Sequence, residues 1–298
     1  LVNRVPEGFD EEVQINSSDK SGMEEAIMLA KKMDVVVMVL GEYGFQSGEG
    51  RSRSKLDLPG LQQELLEKVA AVNPNIILVL MNGRPLVLNW ASENLPAIVE
   101  AWHLGSQSGN AIAQVLYGDY NPSGKLPMSF PRSVGQMPLY YNYKSTGRPG
   151  VDGEDSGSVF WSHYGDEKNS PLYAFGHGLS YTSFEYSEVR LNTTEMTKKS
   201  SIKASVTVTN IGKVHGKEVV QLYLQDPYAS AVRPVKELKG FEMIELLPGA
   251  SKEVTFTISE ELLKFYNAYQ KWEAEPGIFH IYIGTDSTIK KKKTFVLN

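Results

Sequence analysis

The chain has 298 residues, 41% of them hydrophobic and 22% charged, with a formal net charge of -5. That is the make-up of an ordinary folded protein of one or two domains, and the acidic balance excludes a nucleic-acid groove, which needs clustered Lys and Arg. The absence of cysteine excludes disulfides, thiolate metal sites and cysteine nucleophiles, and no apolar run approaches the ~20 residues that span a bilayer. The chain opens on Leu1, without an initiator Met or a signal peptide, and on a loop-like stretch from Val2 to Ser18, so it reads as a fragment.

From Asp19 to about Gly118 helix and strand patterns alternate. Met23 to Met33 places Ala26, Ile27, Leu29 and Ala30 at helical spacing, and the apolar run Val35 to Leu40 then reads as a fully buried strand. A helix over Leu58 to Val72, with Pro59 as its first residue, is followed by a strand Ile76 to Met81 and a short helix around Leu86 to Ser92. A strand Ala97 to Trp102 and a helix Gly109 to Tyr117 close the series. Such βα units imply a parallel sheet covered by helices on both faces, with Gly41-Glu42, Asn82-Gly83-Arg84 and His103-Leu104-Gly105 opening onto one edge.

The connection after the first strand, Gly41 to Arg53, is glycine-rich and far longer than the usual few residues, as functional or disordered loops are, and the mixture of Glu49 with Arg51 and Arg53 suits a fixed polar site better than disorder. It holds two carboxylates and two arginines. Glu42, at the strand end, is placed to accept hydrogen bonds from loop amides or to pair with Arg51 or Arg53, while Glu49 sits farther out between Gly48 and Gly50. Arg51 and Arg53 either clamp the loop through carboxylate pairing or contact ligand hydroxyls. Trp102 ends a strand on the same edge, where it serves either as a stacking wall or as a core residue. The five histidines are scattered without ligand spacing, so no metal is implied, and no nucleotide fingerprint is present.

From Asp119 to Tyr181 the texture turns to Pro, Gly, Tyr and Asn without periodicity, an extended wrapping segment too aromatic for a disordered linker. Beyond Phe184 the pattern is all β. Ile202 to Thr209 alternates with period two, Val219 to Leu224, Val254 to Ile258 and Phe279 to Ile283 are further runs, and Pro248-Gly249 and Pro276-Gly277 mark turns. Short strands at this spacing imply a β-sandwich beginning near Thr182.

Five blocks stand in a fixed order: Gly41-Glu42 with Ser47-Gly48-Glu49-Gly50-Arg51-Ser52-Arg53 and Leu56-Asp57-Leu58-Pro59; Leu80-Met81-Asn82-Gly83-Arg84-Pro85; Gly118 to Pro131; Tyr173 to Thr182; and Arg233 to Phe241. Together they resemble the C-terminal part of family 3 glycoside hydrolases of the bacterial periplasmic β-glucosidase type. The resemblance implies a C-terminal α/β sandwich with a mostly parallel sheet over residues 1–182, lacking its first strand and helix, with 119–182 as the wrapping segment. A fibronectin type III-like all-β sandwich over 183–298 follows. It further implies that Glu49 is the acid/base of a retaining, exo-acting β-glucosidase, whose aspartate nucleophile belongs to an N-terminal barrel that this chain lacks. Arg51, Arg53, Glu42 and Trp102 then bind substrate or position the loop. No cofactor is implied. The partners implied are β-glucosides or cello-oligosaccharides and the barrel itself, with no nucleic acid and no membrane, and a homodimer is left open. The location implied is periplasmic or secreted, and the chain alone is expected to be inactive. A non-catalytic carbohydrate-binding or assembly module is the competing expectation, suited by the aromatic cluster Leu139 to Tyr143 and the pair Phe160-Trp161. The choice between glucose and xylose lies with residues outside this chain.

Overall fold

The computed structural model describes residues 18–149 and 160–298, so nearly all of the opening stretch Val2 to Ser18 falls outside it. The described residues fall into two compact units, one running to Ile112 and including Pro131–Met137, the other comprising Ala113–Phe130 and the described part of Pro138–Asn298.

The first unit follows the order α1 (Met23–Ala30), β1 (Val36–Gly41), α2 (Gln62–Ala70), β2 (Ile76–Met81), α3 (Asn89–Asn94) and β3 (Ala97–Glu100), and α4 (Ser108–Leu116) crosses into the second unit. The strands form one parallel sheet in the order β1-β2-β3, with Val36 beside Ile76, Gly41 beside Met81 and Leu80 beside Glu100. Parallel pairing brings all three carboxyl ends to one edge, where open α/β sheets place their chemistry. The central strand β2 is the most deeply buried, with Ile76, Leu78, Val79 and Leu80 fully covered. Asn73 fixes the far end by donating to the carbonyls of Ala30 (3.0 Å) and Met33 (2.7 Å), which closes the orphaned end of α1.

Three local expectations are corrected. The helix expected from Leu58 starts at Gln62, because Gly60 adopts φ +62°, which a helix cannot contain. The strand expected to reach Trp102 ends at Glu100, because Trp102 itself sits at φ +50° and turns the chain away. The run Val35 to Leu40 is not fully buried: Met38 is covered, but Val37 and Val39 are 46% and 56% exposed. The reason is position, since among the described residues β1 lies at the edge of the sheet, and its successive side chains alternate between more and less covered faces. An open recess of about 700 Å³ runs beside this edge, lined by Met23, Val39, Gly41, Tyr43 and Leu65 among others. Glu49 does not line it.

The second unit carries β4 (Phe184–Tyr186), β5 (Arg190–Leu191), β6 (Glu195–Met196), β7 (Ile202–Asn210), β8 (Gly216–Gln225), β9 (Glu237–Leu246) and β10 (Ser251–Ile258). A one-turn helix α5 (Glu260–Leu263), the hairpin β11 (Phe265–Tyr266) and β12 (Trp272–Glu273), then β13 (Gly277–Gly284) and β14 (Lys293–Leu297) complete it. One sheet runs β10-β7-β4, with β5 also on β7, and the other β6-β14-β13-β8-β9. Alternate residues of β7, namely Ile202, Ala204, Val206 and Val208, meet Val220, Leu222, Ile281 and Phe295 of the opposite sheet in one apolar core.

The extended segment before β4 is pinned by backbone bonds, Leu126 N–H to His177 O and Gly176 N–H to Leu126 O, both 2.8 Å. Tyr141 stacks on Phe175 at 4.1 Å. Lys125 reaches the nearly covered Glu218 of β8 at 3.2 Å, and the Tyr186 hydroxyl donates to the same carboxylate at 2.8 Å.

Candidate active site

Three strand ends and one loop meet at the carboxyl edge of the first unit. Gly41 ends β1 at φ +134°, and any Cβ there would overlap the Met81 carbonyl, so the two strands close up as only glycine permits. Gln62, the first residue of α2, clasps that glycine from both sides: Gly41 N–H donates to its Oε1 (2.7 Å) and its Nε2 donates to Gly41 O (2.8 Å).

Glu42 follows, its side chain wholly buried. A carboxylate in that position must be paired, and it is paired twice. Arg53 Nη1 lies 3.0 Å from Oε1, and Arg84 Nε lies 3.0 Å from Oε1 and 3.2 Å from Oε2. Gly83 N–H adds a bond to Oε2 at 3.2 Å. Arg84 turns its Nη2 to two loop carbonyls, Gln46 O at 2.8 Å and Arg51 O at 2.9 Å, while Arg53 Nη2 donates to Asp57 O at 2.9 Å. One buried carboxylate thus organises two guanidiniums, and the guanidiniums hold the loop by its backbone.

Glu49 stands between those anchors. Gly48 (φ +125°) and Gly50 (φ +70°) flank it, Arg51 N–H closes a turn onto Gly48 O at 3.1 Å, and its carboxylate is exposed to solvent. Arg51 lends its carbonyl to Arg84, but its guanidinium forms no ion pair with a described residue; of the two arginines offered by the sequence as partners of Glu42, Arg53 takes the role, and Arg84 takes it beside Arg53. Trp102 is half-buried, and its N–H donates to Glu100 Oε1 at 2.9 Å.

Two residues that the sequence reading passed over prove central. Gln46 accepts from Tyr43 N–H at 2.8 Å and gives its carbonyl to Arg84; a lone Gln in a polar loop carries no signal of this. Glu100 is the other. Burial raises its carboxyl to about 7 against the pull of the Trp102 amide and the Asn82 side chain. A charged residue closing the apolar run Ala97 to Val99 was the available clue. Among the described residues no group of His, Asp and Glu is arranged to hold a metal ion.

A parallel α/β unit with an arginine-braced glutamate loop at its carboxyl edge, joined in sequence to a β-sandwich, defines the class. The description "Glycosyl hydrolase family 3 C-terminal domain" matches residues 2–181, and "Fibronectin type III-like domain" matches residues 218–287. The chain belongs to glycoside hydrolase family 3.

In particular, it is 49% identical over 290 residues to a periplasmic β-glucosidase of Salmonella typhimurium, covering 97% of this chain and 38% of that protein. It is 44% identical to a β-xylosidase of Formosa agariphila, covering 95% of this chain and 38% of the relative. The crystal structure of a β-glucosidase from Listeria innocua in complex with glucose superposes with a TM-score of 0.90 at 39% identity, over 95% of this chain and 39% of that one. The chain therefore spans under two fifths of the length of these relatives.

Proposed function

We propose that this chain supplies the proton donor of a retaining β-glucosidase, with Glu49 as acid/base working against a nucleophile on a barrel outside these 298 residues. The observation that carries the reading is the backbone grip on the loop: Arg84 bonds Gln46 O and Arg51 O on either side of Glu49, which leaves the glutamate exposed yet held. Retaining hydrolysis needs two carboxyl groups ~5–5.5 Å apart, one attacking the anomeric carbon and one protonating the leaving oxygen. Glu49 is a donor lacking its partner, and no described carboxylate beside it is free to be the nucleophile, since Glu42 is fully engaged by Arg53 and Arg84.

In this reading Glu49 gives its proton to the glycosidic oxygen as the C–O bond breaks and the nucleophile bonds the sugar. It then takes a proton from water as that bond is cleaved. β-Glucosides are the substrate class, in line with the Salmonella and Listeria relatives, and a β-xyloside is the alternative favoured by the Formosa relative. A periplasmic or secreted location accords with the Salmonella relative's name.

The test is Glu49→Ala in the complete enzyme. On substrates with poor leaving groups the rate should fall by about 10²–10⁴, the usual worth of general acid catalysis, while the first step on activated aryl glucosides is largely retained. Equal losses on both would remove Glu49 from the acid/base role.

A further inference from the structure

Asn82 and Glu100 lie at the ends of neighbouring strands, and each has a buried oxygen without a hydrogen-bond donor, Asn82 Oδ1 and Glu100 Oε2. The rest of each group is engaged: Asn82 Nδ2 donates to Arg84 O at 2.7 Å, and Glu100 Oε1 accepts from Trp102 N–H at 2.9 Å. Turning the amide over offers no remedy, because it would set Oδ1 against the Arg84 carbonyl. The two acceptors sit at the ends of adjacent parallel strands, and a proton on Glu100 Oε2 would give each of them a partner.

We infer that Glu100 is a positioning residue, a carboxylic acid whose Oε2–H is the donor that Asn82 Oδ1 lacks, and that this bond fixes the Asn82-Gly83-Arg84 turn from which Arg84 grips the Glu49 loop. The neutral acid fits its partners atom by atom. Its carbonyl oxygen takes the Trp102 amide, its hydroxyl serves Asn82, and Asn82 passes the constraint to the Arg84 backbone. The charged groups on the surrounding elements are Glu42 after β1, Arg53 in the loop, Arg84 after β2 and His103 after β3. The first three are committed to one another, and the His103 ring abuts Gly83, so none of the ion pairs among the described residues supplies Glu100 with a counter-ion. Burial accordingly holds the proton on to about pH 7. Loss of that proton leaves a buried, unpaired carboxylate under the turn and frees the loop anchors. The bearing of this on catalysis rests on the proposed role of Glu49, but the turn and its proton do not.

The test uses the intact chain and needs no turnover. Carboxyl ¹³C NMR should show one glutamate, absent from Glu100→Gln, titrating at about 7. Hydrogen exchange at the Gln46 and Arg51 amides should rise roughly tenfold beyond the intrinsic base-catalysed increase between about pH 5 and about pH 8. In Glu100→Gln, whose amide still donates to Asn82, that extra rise should vanish, and in Glu100→Ala exchange should be fast at both ends. A Glu100 midpoint in the ordinary carboxylate range, or loop exchange in Glu100→Gln that tracks the unsubstituted chain, overturns the inference. If Glu100→Gln fails to fold, the titration and the exchange profile of the unsubstituted chain decide together.

Discussion

Arg84 performs at one position what a lysine there cannot. Its Nε meets the Glu42 carboxylate while its Nη2 bridges Gln46 O and Arg51 O, a division of labour that needs the planar fork of a guanidinium. Arg84→Lys should therefore keep the charge on Glu42 and still loosen the loop. Arg84→Ala should cost about 3 kcal/mol, since it leaves a wholly buried carboxylate with one arginine instead of two. Urea unfolding ranks the two, and loop exchange should be fast in both. Glu100 makes the second prediction at this scale. Its folded value of about 7 lies above the ordinary 4.5. Below about 4.5 the group is protonated whether or not the chain is folded. Between there and about 7 the unfolded chain releases its proton and the folded one does not, so stability falls as pH rises and levels off above the window. The full fall is about 3 kcal/mol at most, and it should be absent in Glu100→Gln when unfolding midpoints are measured across that range.

Among the elements, the pairing of the wrapping segment with β8 is the contact most exposed to a single substitution. Lys125→Met would leave Glu218, only 4% exposed at its side chain, with the Tyr186 hydroxyl alone. Breaking a buried pair from one side costs about 3–5 kcal/mol, which thermal unfolding should show, and adding Glu218→Gln should recover much of it. The elements themselves were largely legible, because periodicity reports burial: β2 matches its expected bounds, and β7 alternates along its whole length. What escaped was set by single dihedrals and by sheet position. Gly60 and Trp102 at positive φ shorten a helix and a strand, and an edge strand and a central strand share one apolar alphabet, so β1 was read as buried on both faces. At the candidate site the loop stood out by length and composition, and Glu42 by its place at a strand end. The services of Gln46 and Asn82, and the burial of Glu100, come from residues far apart in the chain and have no local signature.

At the scale of the molecule, the first unit exposes several large apolar side chains on and around β1 and α1. Val35, Val37 and Val39 of the β1 region and Met28, Leu29 and Met33 around α1 are each between 45% and 58% exposed, and among the described residues β1 is paired along one edge only, with β2. Bare edges with apolar faces recruit other strands. The isolated chain should self-associate as its concentration rises, and Val37→Lys, at a surface position where folding stability should change by no more than about 0.5 kcal/mol, should suppress it in light scattering. No change on that substitution would place the association elsewhere. The grip of Arg84 has a different kind of consequence. It falls on carbonyl oxygens, which every amino acid possesses, and not on side chains. Of the residues between the two anchors, Gly48 and Gly50 are held by their positive φ, but Ser47 can be exchanged without removing either bond of the tether, so an engineer could vary it to retune leaving-group preference while the glutamate keeps its station.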